Sequence, residues 1–208
     1  MRVIVVGCEY SGVSTLIDGL YKWGQKHGIQ HHLDDHFTIP DAFHLTDEEQ
    51  QGMLDMLPGI KERFQRFQIV YHVHLMHKFE HVLMGGFHIE EMVYGPRYYY
   101  PGKNIQIREY EVDLPKDTLL VHLHARPDVI RKRMADAPHP HSLVPSEDVE
   151  VILAHFKDEV RLSWIQRKFD IDTSDLSPEQ LLECFLKRSV PYLNASDGNT
   201  RILIESDT

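Results

Sequence analysis

The chain has 208 residues, a formal net charge of −10, 42% hydrophobic residues and 26% charged residues. This length accommodates one sizeable domain and scarcely two, and the composition is typical of a globular protein. The negative charge argues against nucleic acid as the main partner, because it repels a phosphate backbone unless a local basic patch is present.

The first predicted elements are a strand, a glycine-containing loop and a helix. Residues 2–6 are mostly β-branched and predict a buried strand. Residues 13–27 predict a helix, because Leu16, Leu20 and Trp23 recur at helical spacing on one face. The loop between them therefore follows a strand and precedes a helix.

Short strands and helices alternate from residue 29 to residue 95. The pattern predicts a strand over 29–33, helices over 46–57 and 59–79, a strand over 81–87 and a helix from about 89 to 95. Thr46 and Glu49 form a capping-box pattern at the start of the first of these helices. The long second helix is predicted to turn an apolar stripe toward the core, formed by Phe64, Phe67, Val70 or Tyr71, and Leu75.

The same alternation continues to the end of the sequence. We predict a strand over 117–124, a helix over 127–136, a proline-broken loop over 138–145, a long helix over 146–168, a helix over 177–188 and a last strand over 201–205. Such alternation predicts a parallel sheet of about five strands with helices on both faces. Ligands of such sheets bind at the carboxyl ends of the strands.

The loop after the first strand carries most of a phosphate-binding pattern. Gly7 is followed by four residues and then by Gly12, Val13 and Ser14, which matches G-x-x-x-x-G-K-[ST] except that valine replaces lysine. Backbone N–H groups and the helix dipole can hold phosphate without the lysine, and the Ser14 hydroxyl can bind Mg²⁺. The predicted cofactor-binding residues are Gly7, Cys8, Glu9, Tyr10, Ser11, Gly12, Val13, Ser14 and Thr15. The alternative is that the glycines only allow a strand to turn into a helix.

The missing lysine weakens the prediction of catalysis more than that of binding. A hydrogen bond to a charged group contributes roughly 1.5–3 kcal/mol, so its loss lowers affinity about tenfold to a hundredfold. Phosphoryl transfer suffers more, because its catalysis rests mostly on positioning and charge stabilisation.

Several blocks, in order, resemble the P-loop kinases of nucleosides and nucleotides, in particular thymidylate-kinase-like proteins. Residues 5–16 resemble the first strand and phosphate loop of that family. Residues 82–88, continued by 90–95, stand where the family has a strand ending in Asp-Arg. Residues 120–133 resemble the strand and helix leading into the lid, and 171–182 the later strand and helix start. The resemblance spans most of the chain, and the phosphate loop is its one specific motif.

The resemblance implies a three-layer P-loop fold, with residues 1–208 as one domain and 126–168 as a lid segment. It implies ATP as phosphoryl donor, Mg²⁺ as cofactor, and a nucleoside or nucleoside monophosphate as acceptor. The chain departs from the family at Val13 and at Gly85 and Gly86, which stand in place of the Asp-Arg pair. A nucleotide-binding pseudokinase, acting as sensor or scaffold, is therefore the alternative function.

Replacement charges are available, but their spacing does not select among them. The candidate carboxylates are Glu9, Asp34, Asp35 and Glu90. We expect one of Glu9, Asp34 and Asp35, with Asp34 as the first choice, to orient the acceptor hydroxyl or the metal. The family lid implies that its arginines close over the phosphates and neutralise charge. These arginines are Arg126, Arg131 and Arg133, and further candidate cations are Arg97, Lys103 and Lys168. The competing interpretation of the arginines is a solvated helix face.

Four further expectations concern cysteines, histidines, location and partners. Cys8 lies in the loop near a helix N-terminus, where a thiol pKa tends to fall, so a redox-sensitive loop is the alternative to plain steric tolerance, which is favoured. Histidines cluster at 31–36 and at 72–81, and structural roles are favoured there over a transition-metal site, which is the third functional hypothesis. His139 and His141, in the proline-broken loop, are suggested to contact phosphate when protonated. Two cysteines, no signal peptide and no membrane-length apolar run predict a cytoplasmic protein. The expected partners are nucleotides and a second copy of the chain in a homodimer, with neither nucleic acid nor membrane.

Overall fold

The computed structural model describes residues 1–35, 45–103, 105–138 and 142–207. Its strands are β1 (Arg2–Gly7), β2 (His32–Asp35), β3 (Val82–Gly85), β4 (Thr118–His124) and β5 (Arg167–Asp172). They form a five-stranded, all-parallel sheet in the order β2-β3-β1-β4-β5. The predicted α/β fold with a parallel sheet of about five strands is confirmed.

The centre of the sheet is almost completely apolar. In β1, every residue after Arg2 is buried, as are all residues of β3 and all but the last of β4. β1 pairs with β3 on one side, where Val5 faces Gly85, and with β4 on the other, where Gly7 faces Leu123. This register brings the carboxyl ends of the central strands to one edge, and the loop that follows β1 lies there.

Helices cover both faces of the sheet. They are α1 (Val13–Lys26), α2 (Asp47–Asp55), α3 (Pro58–Lys78), α4 (Phe87–Tyr94), α5 (Pro127–Asp136), α6 (Val149–Leu162), α7 (Pro178–Ser189) and α8 (Gly198–Asp207). One apolar cluster joins the sheet to α1, α7 and α8, and a second joins it to α3, α4 and α6. The two clusters lie on opposite sides of β1, because its alternate residues point to opposite faces. The result is the predicted three-layer arrangement.

Several local predictions are confirmed closely. α5 has the predicted bounds, and α7 extends one residue beyond its predicted end. The capping box is present at the start of α2, where the Thr46 side chain accepts from the Glu49 N–H and the Glu49 carboxylate accepts in return. β2 lies about two residues later than predicted, and α4 begins at Phe87 rather than near 89.

Two predictions in the C-terminal third were wrong. The helix expected over 146–168 ends at Leu162, and its last two predicted residues begin β5. The strand expected over 201–205 is part of α8, because Thr200 and Ile204 are buried one helical turn apart while Ile202 is exposed. β5 is an edge strand in which the buried Phe169 and Ile171 alternate with the exposed Asp170 and Asp172.

α3 lies within one residue of its predicted bounds, but the face that it turns toward the core is not the predicted one. The predicted core residue Phe67 is 73% exposed, and Phe64 and Tyr71 are also exposed. Leu75 alone of the predicted stripe is buried. The buried face also carries polar side chains, which are those of Gln65, Gln68 and His72 beside Ile69 and Met76. Neither Phe64 nor Phe67 lines the cavity described below, so neither ring is placed to stack on a nucleobase bound there.

Across the described residues, no helix is both long and apolar enough to cross a lipid bilayer.

Candidate functional site

A cavity of about 620 Å³ opens at the carboxyl edge of the sheet, within the range of small-molecule sites. All residues from 7 to 15 line it, so the predicted phosphate-binding residues lie in one place. The opposite wall comes from the β3–α4 turn, with Gly86, Glu90 and Tyr94. The cavity is completed by Arg133 of α5 and by the loop between β5 and α7, which begins at Thr173.

The loop over residues 7–15 closes tightly because of its glycines. A Cβ at Gly7 would overlap the backbone oxygen of Leu123, so only glycine fits beside β4. Gly12 has a φ of 103° and caps α1 without a side chain. The first N–H groups of α1 therefore point toward the cavity, where the positive end of the helix dipole favours an anion.

Tyr10 shows that the loop is held in a strained conformation. Its φ of 65° is left-handed, which a non-glycine residue adopts at a cost. The carbonyl oxygen of Tyr10 accepts a hydrogen bond of 2.8 Å from Nη1 of Arg133, and the Ser11 N–H donates to the Cys8 carbonyl oxygen at 2.9 Å. The surrounding contacts thus keep the loop in this shape.

Arg133 is fixed to two loops at once. Besides Tyr10, its Nη1 donates to Oγ1 of Thr173 at 3.2 Å, and its Nη2 donates to the Thr173 carbonyl oxygen at 2.7 Å. Oγ1 of Thr173 donates in turn to the Ser11 carbonyl oxygen at 2.8 Å. Burial lowers the pKa of Arg133 and the charge of Asp172 acts in the opposite direction, but an arginine stays protonated in proteins. Among the described residues that line the cavity, Arg133 carries the one positive charge.

The other two predicted lid arginines lie outside the cavity. Arg126 donates from both Nη atoms to the Asp175 carboxylate, at 2.7 and 2.9 Å, and this hydrogen bonding raises its pKa. Arg131 pairs with Glu150, which likewise raises its pKa, and its Nε donates to the Ser146 carbonyl oxygen at 3.0 Å. Their charges are therefore already compensated on the surface.

Glu9 joins the phosphate loop to the segment predicted as a lid. Its carboxylate accepts from Oγ of Ser142 at 2.7 Å, from the N–H of Leu143 at 3.0 Å and from the N–H of Val144 at 3.1 Å. These bonds direct the Glu9 charge toward that segment. The suggested phosphate contacts, His139 and His141, lie outside the described residues.

Asp34 lies away from the cavity. Its Oδ1 is 3.4 Å from Nε2 of His72, and its Oδ2 is 3.7 Å from Nε2 of His32, at the end of β2. It is not among the residues that line the cavity. The side chain of Asp35 lies outside the described part of the structure, as does His36.

Glu90 is the predicted carboxylate that faces the loop across the cavity. It projects over the β3–α4 turn, where a Cβ at Gly86 would overlap its carboxylate. Gly86 has a φ of 68°, and Phe87 follows with a φ of 63°. The absence of a side chain at Gly86 thus leaves room for a carboxylate from the first turn of α4.

Cys8 does not have the activated thiol considered above. It is only 1% exposed, and burial, followed by the charge of Glu9, raises its pKa to about 12. The thiolate is the reactive form of cysteine, so a thiol with this pKa is unreactive near neutral pH. Of the two interpretations of Cys8, its burial supports plain steric tolerance, because desolvation outweighs the helix terminus.

Two of the remaining candidate cations, Arg97 and Lys168, and the buried His88 have structural contacts. Arg97 pairs with Asp148, and Nζ of Lys168 donates to the Val160 carbonyl oxygen at 2.9 Å near the end of α6. Nε2 of His88 lies 2.6 Å from Oε1 of Glu111 in the core. Within the described residues, no group of three or more histidine, cysteine or acidic side chains is placed to hold a metal ion. Lys103 is not among the cavity-lining residues.

The sequence analysis missed the contributions of Thr173 and Tyr94. Thr173 connects Arg133 to the loop, and the hydroxyl of Tyr94 accepts from the Glu9 N–H at 3.0 Å. Thr173 follows β5, which was predicted as helix up to residue 168, so its place at the carboxyl edge was not visible. The resemblance over 171–182, taken literally as a strand end, would have pointed to it.

Several solved structures share this architecture. The YorR protein of Bacillus subtilis, solved with phosphorylated GDP, is 15% identical, with a TM-score of 0.60 over 93% of this chain and 99% of that one. Deoxyadenosine kinase from M. mycoides with bound dATP is 13% identical, with a TM-score of 0.57 over 90% and 98%. Thymidylate kinase from Candida albicans is 14% identical, with a TM-score of 0.57 over 96% and 93%.

No protein-family model matches the chain, and a comparison with curated proteins finds no relative. At the identities of the solved structures, the likeness establishes the fold alone. The chain thus has the α/β fold of P-loop nucleoside and nucleotide kinases, with a parallel sheet in the order 2-3-1-4-5.

Proposed function

We propose that this protein binds a nucleotide through its phosphates and transfers a phosphoryl group from ATP to a nucleoside or nucleoside monophosphate. The observation that carries this proposal is the loop over residues 7–15, which lines a cavity of suitable size and directs the N-terminus of α1 into it. Backbone N–H groups and a helix dipole bind phosphate without any particular side chain. Binding therefore does not depend on the absent lysine.

The choice of nucleotides as ligands draws on the similar structures. The YorR structure contains phosphorylated GDP, and the deoxyadenosine kinase structure contains dATP. Both share this fold, in which ligands sit at the carboxyl edge of the sheet. The base and the acceptor remain open in the proposal, and the experiment below therefore uses panels of each.

The oxygen atoms around the cavity fit Mg²⁺. The Ser14 hydroxyl and the Glu90 carboxylate both line it, and Mg²⁺ is commonly held by one or two protein oxygens together with substrate phosphates and water. When bound, Mg²⁺ would neutralise part of the phosphate charge. Glu90, one of the carboxylates considered from the sequence, replaces Asp34 in the proposal as the group that orients the acceptor hydroxyl.

We further propose that residues 1–208 act as one domain and that only residues 142–144 of the predicted lid segment 126–168 close over the phosphate loop, because α6 packs into the core and Arg167 and Lys168 belong to β5. The bonds from residues 142–144 to Glu9 and from Arg133 to Tyr10 support a closed arrangement. A closed lid excludes water from the phosphates, which strengthens electrostatic interactions in the site. The homodimer expected from the sequence stays a prediction, which sedimentation velocity would test.

A nucleotide-binding pseudokinase is the second candidate. The observation that favours it is Val13 at the position of the lysine, because losing that charge affects the transition state more than the ground state. Binding is common to both candidates, whereas phosphoryl transfer separates them.

The test begins with thermal unfolding in the presence of ATP, GTP, dATP and other nucleotides, each with and without Mg²⁺. A ligand at a hundred times its Kd stabilises the native state by about 2.7 kcal/mol, so a bound nucleotide raises the unfolding temperature measurably. If no nucleotide does so, both candidates fail. Transfer of labelled phosphate from ATP to nucleosides and monophosphates then decides for the enzyme, and binding without transfer decides for the pseudokinase.

Ser14→Ala provides the site-directed part of the same test. It removes one proposed Mg²⁺ ligand, so the stabilisation by MgATP should shrink while that by ATP without metal changes little. Ser206→Ala, at an exposed serine of α8, is the matched control and should behave like the unaltered protein. Equal responses of the two variants to MgATP would exclude Ser14 as a metal ligand.

A further inference from the structure

We propose that Arg133 takes the place of the missing phosphate-loop lysine, as a cation fixed to the loop that binds the phosphates of the ligand. The proposal rests on the proposed function, since it concerns the same cavity. It assigns to one residue of α5 the charge that the loop itself lacks.

The loop supplies no cation of its own. Residues 7–15 include Glu9 and no lysine or arginine. Val13 lines the cavity at the first position of α1 and packs against the apolar cluster that contains Leu16 and Leu181. A phosphate group in this loop would therefore meet backbone N–H groups and one positive side chain, that of Arg133.

Arg133 forms no ion pair with a described residue, and the charge of Asp172 acts on it only from a longer distance. Arg126 and Arg131, near it in sequence, each form an ion pair, with Asp175 and Glu150 respectively. Arg133 instead donates to the Tyr10 and Thr173 carbonyl oxygens and to Oγ1 of Thr173. A half-buried charge without a counter-ion is costly, and a phosphate ligand would supply the counter-ion.

The bonding pattern also leaves donors for a phosphate. A guanidinium has five N–H groups, and three of those in Arg133 are used by described residues. Nε–H and one N–H of Nη2 remain, and two N–H groups of an arginine commonly bind one phosphate together. Because the other three hold the guanidinium against Tyr10 and Thr173, the cation is in place before the ligand arrives.

The experiment is a double-mutant cycle between position 133 and position 13, measured as the Kd of MgATP. Arg133→Gln should weaken binding about tenfold to a hundredfold, as expected for a lost hydrogen bond to a charged group. Val13→Lys alone should give no gain, because the phosphates already have their cation. Val13→Lys combined with Arg133→Gln should recover at least tenfold of the lost affinity.

Lys132→Gln is the matched control, since it removes the same charge from the next residue of α5, where the side chain is exposed. Its MgATP affinity should stay within about twofold of the unaltered protein. A merely structural role for Arg133 would also weaken binding on substitution, but a lysine at position 13 would not restore it. The absence of rescue, or unchanged binding by Arg133→Gln, would overturn the proposal.

A measurement on the unaltered protein covers the case in which Arg133→Gln fails to fold. Phenylglyoxal modifies accessible arginines, and the modified residues can be located by peptide mass spectrometry. MgATP should slow the modification of Arg133 at least fivefold and leave that of Arg161, an exposed residue of α6, unchanged. Equal rates at Arg133 with and without MgATP would overturn the proposal. If the unaltered protein binds no nucleotide, the proposed function fails instead.

Discussion

The phosphate loop after β1 and the β3–α4 turn present opposite charges to the cavity from similar backbone conformations. Both follow a central parallel strand at the same sheet edge, and both pair a left-handed glycine with a left-handed non-glycine residue. These pairs are Gly12 with Tyr10 and Gly86 with Phe87. The loop presents backbone N–H groups and Arg133, whereas the turn presents the Glu90 carboxylate.

The comparison shows that backbone shape and charge are set separately in this molecule. The strained φ angles direct each turn into the cavity, but the backbone of neither turn determines whether the turn binds an anion or a cation. That sign comes from the helix N-terminus and Arg133 on one wall, and from Glu90 on the other. The first wall is therefore suited to phosphate, and the second to a cation or an acceptor hydroxyl.

The largest effect on the phosphate loop is expected from Gly7→Val. Its side chain would overlap the Leu123 carbonyl oxygen, so the loop must move away from β4. We expect a loss of about 3 kcal/mol or more in unfolding free energy, measured with urea, and no detectable MgATP binding. Gly52→Ala is the control, because nothing lies within 4 Å of the added Cβ, and it should stabilise α2 slightly. Normal binding by Gly7→Val would contradict the described loop geometry.

Glu90→Gln tests the second wall. The amide keeps the shape over Gly86 but removes the charge, so phosphoryl transfer should fall by about 10²–10⁴ while MgATP binding changes much less. Glu183→Gln, at an exposed residue of α7 paired with Lys187, should leave transfer unchanged. Transfer at the normal rate in Glu90→Gln would remove this carboxylate from the proposed chemistry. If the protein proves to be a pseudokinase, the Mg²⁺ dependence of nucleotide binding is the quantity to compare.

The pH dependence separates the loop from the core. Burial, then the neighbouring His81 or His124, lowers the pKa of both His31 and His122 to about 4. Above pH 6.5 both are neutral in the folded and unfolded states. Below it the unfolded chain takes up protons first, so stability falls by about 1.4 kcal/mol per pH unit for each histidine until about pH 4.

The affinity for MgATP should stay constant between pH 7 and 9. The buried Cys8 thiol in the loop stays protonated, since its pKa is raised to about 12, so it contributes no charge change between pH 7 and 9. Urea unfolding from pH 7 to 4.5 and MgATP titrations from pH 7 to 9 measure the two responses. Stability that is constant from pH 6.5 to 4.5 would show that neither histidine is buried in its neutral form.

The smallest effect is expected on the outer face of α3, which packs beside α4 and so supports the β3–α4 turn. Phe67→Ser changes an exposed side chain and should alter the unfolding free energy by about 0.5 kcal/mol at most. Ile69→Ala, at a fully buried position two residues later, should cost about 2–5 kcal/mol. A large loss of unfolding free energy in Phe67→Ser would instead support the apolar stripe predicted to face the core.

The sequence predicted the phosphate loop and four of the five strands, because their signals are local. It predicted the wrong face for α3, since spacing tells which residues share a face but not which face meets the sheet. β5 was missed because Phe169 and Ile171 alternate with charged residues over a short edge strand. The sequence could not single out Arg133 from Arg126 and Arg131. What separates them is that Arg126 and Arg131 pair with carboxylates, and the tertiary fold decides where those carboxylates lie.

The most direct test of the central claim is a crystal structure of the protein with a non-hydrolysable ATP analogue and Mg²⁺. We expect phosphate oxygens within about 2.7–3.2 Å of N–H groups of residues 7–15 and of the Arg133 guanidinium. Nucleotide bound elsewhere, or phosphates in this loop with Arg133 turned away from them, would contradict it.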